Sequence, residues 1–157
     1  MSGFSGCPGS RTVEFKKEDS REGGAAKVPS QLRQWPIQLH LVSPEAPYYQ
    51  GADVVLAADC VPFAMGNFHN DFLKGKALAI ACPKLDGGQE TYVEKIRDWY
   101  EEAKINTLTV MIMQVPCCHG LLATAVQALQ GSKRKVPIRH VNVGIQGEVL
   151  QEEWVET

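Results

Sequence analysis

Two stretches of this chain, Val54–Ala58 and Ala77–Ala81, are apolar throughout, and two more, Thr107–Gln114 and Ile138–Val143, are at least half apolar over the length of a strand. A strand with one wet face alternates apolar and polar residues, whereas a continuous apolar run predicts burial on both faces. Such strands need a layer of structure above and below them. The intervening segments supply those layers. Residues 61–73 place Phe68 and Phe72 on one helical face, with Ala64 and Met65 one turn earlier, and Gly75 is placed to cap the end. Thr91–Lys104 carries an apolar stripe of Tyr92, Ile96, Trp99, Tyr100 and Ala103. Gly120–Gln130 presents Leu121, Leu122, Ala125, Val126 and Leu129 to one side.

Ile37–Val42 reads as a further strand, because branched and apolar residues dominate it. Five strands separated mostly by helices predict a three-layer α/β sandwich with a mainly parallel five-stranded sheet, Rossmann-like or flavodoxin-like. Gly147–Leu150 is expected as at most a short edge strand, followed by a fraying acidic tail over 151–157. Residues 1–32, rich in Gly, Ser and charge, read as a flexible segment or linker, leaving 33–150 as one α/β domain. Cys7, within Cys7-Pro-Gly-Ser-Arg11, belongs to that tail or to a short arm returning to the site.

The 157 residues carry a formal net charge of −2, so no large positive field is available to gather nucleic acid. The basic cluster Lys133-Arg-Lys135 reads as a solvated turn. The sequence has neither a long apolar span nor a secretory signal, and a cytoplasmic protein without membrane contact is expected. Gly-x-Gly-x-x-Gly, the P-loop and the Gly-x-Ser-x-Gly elbow are all absent, which removes the standard signatures of dinucleotide, P-loop and α/β-hydrolase chemistry.

The remaining candidates for chemistry are cysteines. Cys60, Cys82 and the pair Cys117–Cys118 each follow a strand run, so parallel neighbours would bring four sulfurs to one sheet edge. Open α/β sheets place ligands at that edge. Three readings follow from position alone: a metal or iron–sulfur site, a metal-free thiol–disulfide switch, or inert cysteines buried beneath helices. His119 is a further metal ligand, a proton carrier or a surface group. Asp59 is a helix cap, which is the favoured reading, or an outer hydrogen-bond acceptor for the thiols. Lys84 balances thiolate charge or is simply exposed, and Asp86 reads as a turn residue. His40 and His69 are assigned to no site.

Several longer strings carry a resemblance. Leu32–Leu39, Ala57–Ala64, Asp71–Lys76, Cys82–Asp86 and Val115–Leu121 look like the C-terminal region of a family of 4Fe-4S ferredoxin or iron–sulfur cluster-binding proteins of anaerobes. The repeated Cys-x-x-Cys-x-x-Cys motifs of the family's ferredoxin module are missing here. The resemblance implies a redox-linked accessory domain, with electron transfer to or from a ferredoxin or redox-enzyme partner. In that reading Cys60, Cys82, Cys117 and Cys118 line an iron–sulfur site, or alternatively a zinc site. A docking domain with buried structural cysteines is the alternative of another class.

Overall fold

The computed structural model describes residues 14–15 and 27–156. Its frame is a five-stranded sheet: β1 (Asp53–Ala58), β2 (Ala77–Ala81), β3 (Thr107–Met113), β4 (Ile138–Val143) and β5 (Val149–Trp154). The strand order is β2-β1-β3-β4-β5. The first four strands are parallel and β5 is antiparallel to β4. The predicted α/β architecture with a mostly parallel five-stranded sheet is therefore what this sequence forms.

Two strands differ from the sequence reading. Ile37–Val42 contributes only one bridge, Gln38 beside Ile80. The chain then turns, and Lys95 Nζ fixes the turn by donating to the carbonyls of Leu39, His40 and Val42 at 2.9, 2.8 and 2.9 Å. At the other end, the expected fraying tail is instead β5, running to Trp154. All six β5 residues are exposed, so the backbone ladder and the pair Arg139–Glu152 (3.1 Å) hold it rather than a core face.

Three helices flank the sheet: α1 (Val61–Ala64), α2 (Gln89–Glu101) and α3 (His119–Gln130). The single helix expected over 61–73 is broken after Ala64 and resumes as one wide π-turn at His69–Leu73. Gly75, at φ +76°, ends it in the left-handed conformation that a side chain resists. Adjacent residues of β4 separate the layers. The Arg139 guanidinium lies over the Phe72 ring at 5.6 Å, while His140 points to the α3 side. Tyr92, Ile96, Trp99, Tyr100 and Ala103 are all buried, as the helical stripe requires. The Tyr100 hydroxyl donates to the Ala125 carbonyl at 3.0 Å and ties α2 to α3.

The basic turn after α3 is not simply solvated. Arg134 donates to the carbonyls of Tyr100 and Ile105, and Lys135 to those of Leu129 and Ser132. These cations complete the C-terminal ends of α2 and α3, where free carbonyls concentrate negative charge.

The outer edge of β2 is closed in an unusual way. Gln34 uses its side-chain amide as a strand backbone would: Nε2 donates to Leu78 O at 2.7 Å and Oε1 accepts from Leu78 N at 2.8 Å. The buried Tyr49 hydroxyl donates to the same carbonyl at 2.9 Å. The bridge at Gln38 continues this cover toward the carboxyl end of the strand.

Candidate functional site

The strand order makes the carboxyl edge between β1 and β3 the point where the chain reverses its direction of winding. From β1 the chain passes to β2 on one side; from β3 it passes to β4 on the other. Loops leaving adjacent strands in opposite directions open a crevice, which is where ligands bind in sheets of this kind.

Parallel register brings the loops after β1, β2 and β3 together. Ala58 pairs with Ala81, so Cys60 and Cys82 leave the sheet at nearly the same level. A Cβ placed on Gly120 would lie 3.4 Å from Pro83, so the Cys82 loop packs against the first turn of α3. Cys60 lies within electrostatic reach of Cys82, Cys117 and Asp59. The predicted meeting of three cysteine loops is realised.

The thiols nevertheless differ in their exposure. Cys60 is exposed, Cys82 and Cys117 are half-buried, and Cys118 turns into the core. Burial pushes the Cys60 thiol up, and the neighbouring Cys82, Asp59 and Cys117 add to the shift. Burial also raises Cys118, to about 11. Metal ligation and disulfide exchange both use the thiolate, and this environment disfavours it at these two positions.

The cofactor expectation is corrected here. Among the described residues, no group of three or more His, Cys, Asp or Glu side chains is arranged to hold a metal ion. Neither an iron–sulfur cluster nor zinc fits Cys60, Cys82, Cys117, Cys118 and His119 as placed. His119 instead opens α3 and lines a groove beside that helix. The other two readings fail with it. Only Cys118 of the four described cysteines is buried, so no buried structural pair is present among them. The redox-accessory and docking functions therefore lose their basis. Cys7 lies outside the described residues.

Two carboxylates organise the edge, and sequence reading misjudged both. Asp86 is a hub rather than a plain turn residue. One of its oxygens accepts from the Cys82 amide at 2.9 Å, from Gln38 Nε2 at 3.1 Å and from the Tyr92 hydroxyl in a short bond. Burial alone would raise its pKa, but these donors hold it below the ordinary carboxylate value. His40 steadies the same loop: its ring stacks on Tyr92 at 4.3 Å and its Nε2 meets the Gly87 carbonyl at 2.6 Å. Asp86-Gly-Gly88 was the available signal, since an aspartate before two glycines often closes a loop onto its own backbone.

Asp59 does not cap α1. The capping position belongs to Cys60 and no side chain caps that helix. Among the described residues Asp59 Oδ1 is a buried acceptor without a hydrogen-bond partner. Burial raises its pKa, and the Asp86 carboxylate pushes in the same direction. A carboxyl in this state at a crevice is a candidate functional group, because an acceptor without a donor is costly unless something uses it. Around the edge, Phe63 is 92% exposed and Leu85 84%, so the loops after β1 and β2 offer apolar contact to whatever enters. Lys84 is exposed beside Leu85, and no ion pair of Lys84 is found among the described residues.

The α/β fold and this edge define a Rossmann-like domain, and the family model of that description matches residues 46–156. The chain belongs to the Rossmann-like domain family, which replaces the iron–sulfur family suggested by its short strings. It is similar to an uncharacterized protein of Archaeoglobus fulgidus, 30% identical over 119 residues that span 76% of this chain and 83% of that protein. No solved structure matches it. Among the described residues, no helix is long and apolar enough to cross a membrane.

Proposed function

We propose that this chain is a small-molecule binding domain whose ligand sits at the carboxyl edge of the sheet, between the β1 and β3 loops, and donates a hydrogen bond to Asp59. The observation that carries this reading is the partnerless, partly buried Asp59 carboxyl at the point where winding reverses. Its raised pKa suits a neutral hydroxyl, amide or amine donor, because a bound anion would meet two carboxylates there. Cys60, Cys82 and Cys117 line the entrance as polarizable groups, and Phe63 and Leu85 cover the apolar part of the ligand.

Thermal-shift screening with nucleosides, sugars, amino acids and polyamines tests the proposal. At least one class should raise the melting temperature of the wild-type protein and leave Asp59→Ala unchanged. No shift with any class, or equal shifts in both proteins, would refute it.

A further inference from the structure

A second site lies on the opposite side of α3. Because β4 joins β5 by a turn (144–148) and not by a helix, no helix among the described residues covers the α3 face of β4 beyond α3 itself. A groove of about 440 Å³ follows, with Ile112, Leu122 and Val126 as apolar walls, Gln127 and Gln130 at the rim, and His140 within it. That volume is within the range of sites for small organic ligands.

We propose that this groove binds a small aromatic molecule carrying one hydrogen-bond donor, a phenol or an aniline, with the donor directed at His140. The imidazole is nine-tenths buried. Its Nδ1 lies 3.5 Å from Glu153 Oε1. A carboxylate only accepts, so the tautomer that faces it with Nδ1–H leaves a lone pair at Nε2. Nε2 has no partner among the described residues. Asn142, the next residue on that sheet face, stands opposite Ile112 in register, and its Oδ1 is likewise buried without a partner.

An idle ring nitrogen beside apolar walls selects a donor. A carboxylate or phosphate would meet the Glu153 charge beside that nitrogen. Nε2 is shielded from solvent, so binding turns the ring about its side-chain bond. Glu153, whose side chain is 53% exposed, is free to follow.

Nuclear magnetic resonance on methyl-labelled and ¹⁵N-histidine-labelled protein, titrated with p-cresol and with toluene, tests this site. The p-cresol should move the methyl signals of Ile112, Leu122 and Val126 together with the His140 Nε2 resonance. It should bind roughly 5- to 10-fold tighter than toluene, the value of one neutral hydrogen bond. His140→Phe keeps the ring and should erase that preference. Unmoved methyls, equal binding of the two probes, or a preference that survives His140→Phe would overturn the proposal. Should that variant fail to fold, Val126→Trp, at a half-buried position, fills the groove; p-cresol binding must then disappear, and its persistence overturns the proposal equally.

Discussion

Gly147, in the turn between β4 and β5, gives the sharpest test of how the carboxyl edge is assembled. It has φ +91°, and a Cβ there would lie 2.2 Å from the Ala64 carbonyl oxygen and 3.3 Å from Met65 Cα. Both contacts are backbone, so no rotamer change relieves them. Gly51 supplies the control: φ is +62° and nothing lies within 4 Å of its Cβ position. Alanine at Gly51 pays only for the left-handed backbone, about 1 kcal/mol. Alanine at Gly147 adds an overpacking cost of about 1–3 kcal/mol, because the turn must retreat from the end of α1 by roughly an ångström to restore ordinary contact. For a chain of this size each kcal/mol shifts the melting temperature by about 2–4 °C. Gly51→Ala should therefore lose about 3 °C, and Gly147→Ala about 6–12 °C. Thermal unfolding followed by circular dichroism measures both. Equal losses in the two variants would refute the claim that the turn is wedged against α1.

Asp59→Asn removes the charge that the fold disfavours. A raised folded-state pKa means that the native state favours the protonated acid. The penalty is thus absent below the unfolded value of about 3.9 and grows as pH rises through the folded one. The variant should melt above wild type at about pH 7 and lose that advantage by about pH 3, and an advantage independent of pH would contradict the assignment. Gln34→Ala should cost about 1–2 kcal/mol in chemical denaturation, since the Leu78 amide loses its partner while the carbonyl keeps only the Tyr49 hydroxyl. Amide exchange at Leu78 should quicken with it, and unchanged exchange would show that the side chain closes nothing.

The parallel strands were legible because Val54–Ala58 and Ala77–Ala81 are apolar throughout and Thr107–Met113 and Ile138–Val143 are at least half apolar at strand length. β5 was legible only at its start, as the short edge strand expected over 147–150, because Val149–Trp154 buries no side chain and its Glu152 and Glu153 resemble tail chemistry. Its partners, Arg139 and His140, lie on a strand that sequence alone does not align with it. Ile37–Val42 has strand-forming residues, yet Lys95, more than fifty positions away, curls its second half into a turn. At the site, placement of cysteines after strands foretold that their loops meet. It held no information on where each sulfur points, and the short matching strings pulled the reading toward metal. Asp59 and Asp86 were judged by local habit, whereas three donors from two loops and a helix decide Asp86 and a buried orphan oxygen decides Asp59.

The amide of Gln34 also sets a boundary for engineering the domain. The family match begins at residue 46, and a truncation designed on it would discard both Gln34 and the bridge at Gln38. Such a chain would lose the buried Leu39 and Val42 and expose the donors and acceptors of β2 as a template for pairing with other chains. The smallest well-behaved unit therefore starts before Gln34. Among the described residues the open edge of the sheet is that of β5, and there Glu152 and Glu153 resist a stranger's approach.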